Sequence, residues 1–371
     1  MRILHCLRAP VGGLFRHVLD LAAEQARRGH DVGILADSNA EDRLTSPKFA
    51  AVEPLLRLGI LRTPMSRNPG LGDVQASRTV SAHAATLNLD VLHGHGAKGG
   101  AYARLAARTL NRSGSSVKAF YTPHGGTLNF KPGSLEAALF LGLERILERY
   151  SSGLIFESAY ASRVYADRVH KPVVPIRIIP NGLQPDDFIV AELDPAATDI
   201  VFIGELRPIK GVEFLIDAIA ALNADRRATA TLVGSGPSTD SLKARAHDLG
   251  LDEVIRFTGA LPARDAFRLG RIMVVPSLAE SFPYVVLEAA AAGLPLISTN
   301  VGGIPEIVAG TDTELIAPGD AKAIETALRH TLAEPELAAA RAARLRANVE
   351  QKFTVAGMSD AVLNFYALTA R

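Results

Sequence analysis

Short apolar runs alternate with helical patterns twice along this chain, and this repeated alternation limits the possible folds more than any other feature. Parallel strands need a crossover connection, usually a helix, so a β-α-β succession predicts a parallel sheet covered by helices. The first series of predicted strands comprises Arg2–Leu7, Val32–Ala36, Val91–His93, Val117–Thr122, Leu154–Glu157 and Val174–Ile179. The second comprises Ile200–Gly204, Thr229–Val233, Val254–Thr258, Arg271–Val275 and Pro295–Thr299. We therefore predict an α/β protein with two Rossmann-like doubly wound domains.

A proline-rich window separates the two series and marks the predicted domain boundary. It contains Pro172, Pro175, Pro180, Pro185 and Pro195, and prolines at this density favour connecting segments. We assign residues 1–180 to a first domain and residues 181–352 to a second, followed by a helix over residues 353–371. Ligands of doubly wound sheets bind at the carboxyl ends of the strands, so we expect a site in the cleft between the domains.

Composition excludes several classes of protein. The one cysteine, Cys6, permits no disulfide within the chain and fits a reducing compartment. No apolar run approaches the roughly 20 residues that a membrane-spanning helix needs. The apolar stretch within the first ten residues is also too short for a signal peptide. We expect a cytoplasmic protein, with peripheral attachment to the inner face of the cell membrane left open.

The net charge of +1 conceals an asymmetry between the two halves. Residues 1–180 carry 23 Lys and Arg against 14 Asp and Glu, whereas residues 181–371 carry 17 against 25. A basic half favours an anionic partner such as a membrane surface, and mutual attraction of the two halves explains the asymmetry equally well. A nucleic-acid partner is not expected.

Two acids eight residues apart, Glu280 and Glu288, are the main candidates for chemistry. Glu280 lies in a polar turn with Ser281 and Phe282, and a helix containing Glu288 is predicted to begin near Pro283, which suits a first helical position. Backbone N–H groups at such a helix start favour a diphosphate, and carboxylates accept hydrogen bonds from sugar hydroxyls. The alternative is that Glu280 is a helix-start charge and Glu288 lies on a solvated face.

The sequence around these acids resembles the glycosyltransferase group 1 family. The pattern E-x7-E is followed by AxAxGxPxI and then by GGxPE, all within residues 280–306. Further segments similar to the family are residues 179–183, 202–212, 232–237 and 257–259. The resemblance covers the whole chain. It implies the GT-B fold, a retaining hexosyltransferase activity and a C-terminal helix, residues 353–371, that packs on the N-terminal domain.

The resemblance also implies roles for residues of the second domain. Glu280 would bind the donor sugar hydroxyls, Glu288 the ribose, and Lys210 the diphosphate, whose growing negative charge it would stabilise during transfer. The remaining donor-binding candidates are Gly204, Gly234, Gly236, Ser281, Phe282 and Pro283. Many members of the family have Arg directly after the glycine that is Gly204 here. This chain has Glu205 there, and we expect Arg207, two residues later, to supply the guanidinium.

Candidates in the first half follow predicted strands. Gly12 and Gly13 come after the first strand, where backbone can approach a phosphate. The resemblance implies that His124 lies near the reacting sugar, where an imidazole positions a hydroxyl or moves a proton. His95 and Lys98 are candidates for acceptor contact. Because His93 and His95 have no acidic or cysteine neighbour in the sequence, we expect no metal site and no cofactor.

The expected reaction transfers a sugar from a nucleotide diphosphate, UDP- or GDP-linked, to a glycan or polyprenyl-diphosphate-linked acceptor in bacterial surface polysaccharide synthesis. Residues 130–150 form an apolar helical stripe (Leu135, Leu139, Leu143 and Ile146) flanked by Lys131, Arg145 and Arg149. The stripe suits either a membrane surface or the protein core. Other functions left open are a nucleotide-sugar epimerase or phosphorylase, a non-catalytic sugar-nucleotide binding protein and an NAD-dependent oxidoreductase, although the glycine pattern of the last is missing.

Overall fold

The computed structural model describes residues 1–41, 44–68, 70–125 and 135–369. The chain divides into two compact units. Unit 1 contains Met1–Gly182 together with Val355–Arg371, and unit 2 contains Leu183–Thr354. Among the described residues, no helix has the length and apolar character needed to span a bilayer.

Unit 1 is a seven-stranded parallel sheet in the order β3-β2-β1-β4-β5-β6-β7. The strands are β1 Arg2–Leu7, β2 Asp31–Asp37, β3 Gly59–Thr63, β4 Val91–His95, β5 Lys118–Thr122, β6 Gly153–Phe156 and β7 Ile176–Ile178. The helices are α1 Gly12–Arg27, α2 Thr45–Val52, α3 Leu71–Ala85, α4 Gly96–Arg112, α5 Leu135–Glu148, α6 Ala159–Arg168 and, at the end of the chain, α14 Val355–Leu368. Because helices cover both faces, β1 and β4 are buried along nearly their whole length.

Helix α14 completes the core of unit 1. Its apolar side chains, among them Val362 and Phe365, join the buried cluster formed by β1 and α1. The Phe365 ring lies 5.4 Å from that of Phe120 on β5, and the Tyr366 hydroxyl lies 2.6 Å from His93 Nδ1 on β4. Burial of one such aromatic side chain contributes about 1.5–3 kcal/mol. Helix α14 is therefore an integral part of the core of unit 1.

A buried ion pair fixes α5 to the rest of unit 1. Arg104 on α4 is fully buried and donates to Glu144 on α5 at 2.9 Å, while the Tyr121 hydroxyl donates to the same carboxylate at 2.8 Å. A buried charge is tolerated only when its partners satisfy it, so this three-residue contact determines which face of α5 points inward. The opposite face carries Leu139 and Leu143.

Unit 2 is a six-stranded parallel sheet in the order β10-β9-β8-β11-β12-β13. The strands are β8 Thr198–Ile203, β9 Ala230–Val233, β10 Ile255–Gly259, β11 Gly270–Val275, β12 Leu296–Thr299 and β13 Leu315–Ile316. The helices are α7 Val212–Asn223, α8 Thr239–Asp248, α9 Ala263–Phe267, α10 Tyr284–Ala291, α11 Ile304–Val308, α12 Ala321–Ala333 and α13 Pro335–Lys352. Successive side chains of β11 point to opposite faces of the sheet and join different buried clusters. Met273 and Val275 belong to one cluster, and Ile272 and Val274 belong to the other.

Two doubly wound sheets are present, which confirms the predicted fold class. Each strand predicted from the sequence exists within two or three residues of the predicted bounds. The pattern missed β3, whose residues are mostly half-buried, and β13, which has only two residues. One local expectation is corrected: α10 begins at Tyr284, and Pro283 caps it with an extended ψ of 124° rather than occupying the first helical turn. In each sheet the strand order reverses between two central strands, β1 and β4 or β8 and β11.

Candidate active site

In unit 2, Lys210 and Glu280 meet beyond the carboxyl ends of β8 and β11. Lys210 ends the short 3-10 turn before α7, and Glu280 lies in the turn between β11 and α10. Lys210 Nζ is 2.6 Å from Glu280 Oε1, and the buried Ser277 hydroxyl donates to the same oxygen at 2.7 Å. A cation and a carboxylate therefore occupy the switch point of the sheet, the usual ligand position in such folds.

Neighbouring strands hold this carboxylate in place. The Thr299 hydroxyl at the end of β12 donates to the Ser277 carbonyl at 2.6 Å, which fixes the turn that carries Glu280. Gly302, within the GGxPE pattern, has a φ of +60°, and a Cβ there would lie 2.0 Å from the Glu280 carbonyl oxygen. The Gly303 N–H donates to the Ser281 carbonyl at 2.7 Å. Gly302 thus lets the loop before α11 approach Glu280 closely, and the Gly303 N–H supports the backbone of Ser281.

The glycines predicted to bind the donor lie where the loops after β8, β9 and β10 touch. A Cβ on Gly234, whose φ is +148°, would lie 1.8 Å from the Gly204 carbonyl oxygen. A Cβ on Gly236 would lie 2.4 Å from the Leu206 carbonyl oxygen. The Gly234 N–H donates to the Gly259 carbonyl at 2.9 Å. These close backbone approaches explain the requirement for glycine, and donor binding by the same loops stays a prediction.

Arg207 and Glu205 form a surface pair. Arg207 Nη1 is 3.4 Å from Glu205 Oε2, and about half of each side chain is exposed. Exposed ion pairs contribute about 0–1 kcal/mol, so this contact does not fix either side chain. The structure therefore places Arg207 on the same loop as Lys210, and its predicted role with the donor stays a prediction.

The other residues of the acidic segment have different surroundings. The Phe282 side chain is buried against Phe353, with ring centroids 5.6 Å apart, so it belongs to the core of unit 2. Glu288 lies on α10 and lines a cavity of about 500 Å³ together with Asp186, Asp187, Arg264 and Arg268. Lys210 and Glu280 are not among the described residues that line this cavity. The predicted contact of Glu288 with a ribose stays a prediction.

Unit 1 gathers five histidines from four separate segments. His5 lies on β1, His17 on α1, His93 and His95 on β4, and His124 just after β5. A row of hydrogen-bond contacts connects Gln25 Oε1 to His5 Nε2 at 2.8 Å, His5 Nδ1 to His95 Nε2 at 3.0 Å, and His95 Nδ1 to His124 Nε2 at 3.0 Å. His95 and His124 were candidates from the sequence, whereas no sequence pattern pointed to His5 or His17.

Burial determines the charge state of most of these imidazoles. Removal from water lowers the pKa of His5 to about 4 and the pKa of His17 to about 3. The same cause lowers the pKa of His93 and of His95 well below the ordinary value. These four rings are therefore neutral near pH 7, and each has one ring nitrogen with a lone pair.

The His124 ring is already engaged by protein groups. Its Nδ1 contacts the Glu157 carboxylate and its Nε2 contacts His95, while the side chain is 4% exposed. The backbone of His124 has a φ of +51°, an uncommon conformation for a residue other than glycine. The structure thus places His124 at the carboxyl end of β5, as the sequence indicated, and its predicted contact with the reacting sugar stays a prediction.

The remaining candidates of unit 1 lie near the first and fourth strands. Gly12 and Gly13 are exposed at the start of α1, and Gly12 has a φ of +63°. Lys98 on α4 is paired with Asp73 on α3, its Nζ lying 2.6 Å from Oδ1, and also donates to the Asn68 carbonyl at 3.0 Å. The Lys98 ammonium therefore joins two helices, and acceptor binding by Lys98 stays a prediction.

Comparison with known proteins supplies the family context. Residues 11–187 match the family model Glycosyltransferase Family 4, and residues 197–334 match Glycosyl transferases group 1. A glycogen synthase of Mycobacterium tuberculosis (strain ATCC 25618 / H37Rv) is 29% identical over 97% of this chain and 92% of its own length. A D-inositol 3-phosphate glycosyltransferase of Corynebacterium glutamicum (strain R) is 39% identical over 34% of this chain and 32% of its own length.

Solved structures share the fold over nearly the whole chain. The structure of HepE from Anabaena in complex with UDP has a TM-score of 0.80 at 19% identity, covering 99% of this chain and 100% of that one. Sucrose-phosphate synthase from Thermosynechococcus elongatus has a TM-score of 0.80 at 21% identity, covering 99% of both chains. The GT-B fold expected from the sequence is therefore confirmed.

Proposed function

Because this chain belongs to the glycosyltransferase group 1 family, we propose that it transfers a hexosyl unit from a nucleotide diphosphate sugar to a hydroxyl of the acceptor, with retention at the anomeric carbon. The proposed acceptor is a glycan or a polyprenyl-diphosphate-linked sugar in bacterial surface polysaccharide synthesis. A cytoplasmic enzyme at the inner face of the cell membrane is the localisation that this acceptor implies.

The observation that carries the proposal is the Lys210–Glu280–Ser277 contact at the switch point of unit 2. In the proposed reaction the Lys210 ammonium offsets the negative charge that grows on the departing diphosphate, and Glu280 accepts hydrogen bonds from the sugar hydroxyls. The acceptor oxygen attacks on the face that the diphosphate leaves, and the departing phosphate oxygen takes the acceptor proton. Lys210 and the N–H groups at the start of α10 meet the diphosphate charge without a cofactor or a bound cation.

The choice of donor is supported by the structural neighbours. HepE from Anabaena has been solved with UDP, with UDP and glucose, and with UDP-glucose. We therefore propose UDP-sugars as the first donors to test, followed by GDP-sugars. Loops 234–237 and 257–261, which meet at the Gly234–Gly259 hydrogen bond, are the proposed base-binding loops.

A panel of UDP-, GDP- and ADP-sugars tests the donor half of the proposal. We expect one nucleotide class to raise the unfolding temperature and to be hydrolysed slowly without an acceptor. Ligand at 100 times its dissociation constant stabilises the folded state by about 2.7 kcal/mol, which a thermal shift assay detects easily. If no member of the panel binds at millimolar concentration, the proposed function is wrong.

The acceptor half of the proposal draws on α5. Leu139, Leu143 and Ile146 are 55%, 42% and 48% exposed, and they recur on one helical face. The alternative that this stripe belongs to the core is therefore wrong for these three residues. Arg145 and Arg149 are exposed beside the stripe, whereas Lys131 lies outside the described residues. Apolar side chains flanked by arginines suit an anionic membrane surface that presents a lipid-linked acceptor.

Vesicle flotation tests this membrane contact. We expect the protein to float with vesicles of anionic phospholipid at low salt and the double variant Leu139→Glu/Leu143→Glu to remain at the bottom of the gradient. Leu71→Glu is the matched control, because Leu71 on α3 is 91% exposed and lies outside the stripe. Equal flotation of all three proteins, or flotation of none, would contradict the membrane proposal without affecting the donor proposal.

A further inference from the structure

We propose that His17, His95 and His124 form a binding site for one divalent transition-metal ion of the zinc type inside unit 1. One ring nitrogen of each histidine lies within 4.8 Å of one ring nitrogen of the other two. The ring centroids are 4.8 Å apart for His17 and His124, 5.3 Å for His95 and His124, and 5.5 Å for His17 and His95. Three imidazoles with a fourth position open to another ligand are a common zinc environment. The trio shares His95 and His124 with the residues expected to contact the acceptor and the reacting sugar, but metal binding can be measured without any transfer activity.

The outer hydrogen-bond partners of two of these histidines leave lone pairs for a metal. His17 Nδ1 lies 2.9 Å from Asn181 Oδ1, and an amide oxygen only accepts, so Nδ1 carries the proton and Nε2 the lone pair. His124 Nδ1 faces the Glu157 carboxylate, which only accepts, so Nε2 is the ring nitrogen of His124 that remains for a metal. Carboxylate and carbonyl partners of this kind are typical behind metal-binding histidines.

The tautomer of the third histidine, His95, follows from its contact with His5. Gln25 Oε1 accepts from His5 Nε2, so the proton of His5 is on Nε2 and His5 Nδ1 is an acceptor. His95 Nε2 therefore donates to His5 Nδ1, and the lone pair of His95 is on Nδ1. The nitrogens positioned to bind a metal are thus His95 Nδ1, His17 Nε2 and, once a metal displaces any proton there, His124 Nε2.

This arrangement calls for a positive charge among the three rings. His95 Nδ1 and His124 Nε2 are 3.0 Å apart, a distance at which either a proton or a metal ion must lie between the two nitrogens. His17 Nε2 is buried and has no hydrogen-bond partner among the described residues, a state that costs about 1–3 kcal/mol. A single metal ion would satisfy all three nitrogens.

A second group of histidines in the same cluster is less suited to a metal. His5, His93 and His95 also place ring nitrogens within 4.8 Å of one another. However, His93 Nε2 contacts the Thr122 hydroxyl at 2.9 Å and His93 Nδ1 contacts the Tyr366 hydroxyl at 2.6 Å. Both nitrogens of His5 are engaged as well. A metal there would have to break hydrogen bonds of His5 and His93. In the first trio a metal would replace only the His95–His124 contact and would give the unpartnered His17 Nε2 a partner, so we assign the site to that trio.

Competition for zinc tests the site on the full chain. The protein is purified without a polyhistidine tag, stripped with a chelator and titrated with Zn²⁺ against a chromogenic chelator. We expect one tight equivalent for the wild type, and at least ~100-fold weaker binding for His17→Gln. For Asn181→Ala, which removes an outer partner, we expect roughly 10-fold weaker binding. His247→Gln is the matched control, because His247 is an exposed histidine of unit 2, and its affinity should equal that of the wild type.

Cobalt gives a second readout that does not depend on activity. Co²⁺ bound by three imidazoles and one further ligand in tetrahedral geometry absorbs strongly in the visible, and we expect this band in the wild type and not in His17→Gln. If the wild type binds no competition-resistant equivalent of zinc, a shared proton and not a metal joins His95 and His124, and the proposal is wrong. Equal zinc affinity of the wild type, Asn181→Ala and a folded His17→Gln would also overturn it. If His17→Gln does not fold, the wild-type stoichiometry and Asn181→Ala decide.

Discussion

Replacing Glu280 by glutamine should separate nucleotide binding from sugar transfer. In the structure Glu280 Oε1 accepts from both Lys210 and Ser277, at 2.6 and 2.7 Å. Glutamine has nearly the same shape, and its amide oxygen can still accept from the Ser277 hydroxyl. It removes the negative charge that competes with a diphosphate for Lys210. We therefore expect Glu280→Gln to bind the nucleoside diphosphate more tightly and to transfer sugar more slowly.

The size of both effects follows from exposure and charge. Two unit charges 4 Å apart interact by about 4 kcal/mol at an effective dielectric constant of ~20. The Lys210 side chain is 24% exposed and that of Glu280 10%, so solvent screening reduces the competition to about 1 kcal/mol, or roughly a fivefold gain in nucleotide affinity. The rate of transfer should fall about 10²–10³-fold, the usual effect of losing one preorganised hydrogen-bonding group at a reacting centre.

For Lys210→Met we predict the opposite change, a lower affinity for the nucleoside diphosphate. Without the ammonium, both the affinity for the nucleoside diphosphate and the rate of transfer should fall, because in the proposed reaction Lys210 contacts the diphosphate before and during transfer. Lys322→Met is the matched control: Lys322 is paired with Glu325 at 2.8 Å on α12 and is 79% exposed. It should leave both quantities within about twofold of the wild type, since exposed pairs contribute little.

Isothermal titration calorimetry with the nucleoside diphosphate and a coupled assay for its release measure the two quantities. The reasoning fails if Glu280→Gln and Lys210→Met change nucleotide affinity in the same direction. It also fails if Lys210→Met behaves like Lys322→Met. Circular dichroism on each variant shows whether a loss reflects unfolding.

Three further predictions concern stability. Arg104→Met should lower the free energy of unfolding in urea by about 3–5 kcal/mol, because it leaves the Glu144 carboxylate, which is 4% exposed, without its cation; a loss below about 1 kcal/mol would contradict this. Gly234→Ala should abolish nucleotide binding and lower the melting temperature, because its Cβ would lie 1.8 Å from a carbonyl oxygen. Gly250→Ala is the control: its φ is +70° but its Cβ would meet open space, so it should lower the free energy of unfolding by only about 1–2 kcal/mol. Tyr366→Phe should cost about 1–3 kcal/mol in the same urea experiment by leaving a buried histidine nitrogen on β4 unpaired, and an unchanged midpoint would argue against that hydrogen bond.

The central strands were predictable from the sequence and the edges were not. Strands such as Arg2–Leu7 and Gly270–Val275 are apolar and buried on both faces, so they differ clearly from the helices around them. Gly59–Thr63 lies at the edge of its sheet and mixes half-buried residues with an arginine. Leu315–Ile316 is too short to show any period. Periodicity also could not decide whether the Leu139–Leu143 stripe faces the core, because that depends on the partners of Arg104.

The candidate site was predictable only in part. Family resemblance pointed to Lys210 and Glu280, which are 70 residues apart and in contact. The sequence neighbours of His93 and His95 include no further ligand, whereas sheet pairing and helix packing bring His5, His17 and His124 beside them in the structure. Acids eight residues apart looked like one unit, yet Glu288 faces the cavity beside Arg264.

Because α14 packs on the sheet of unit 1, the core of unit 1 can be completed only after α14 has been synthesised. During synthesis, residues 1–182 leave the ribosome well before Val355–Leu368 exist, so the apolar surface of α1 that α14 covers stays open while the whole of unit 2 is made. Unit 2 is contiguous in sequence and has no such delay. A nascent chain of this kind has a prolonged interval in which chaperones can bind its N-terminal half, and early termination before Val355 would leave that half permanently unfinished.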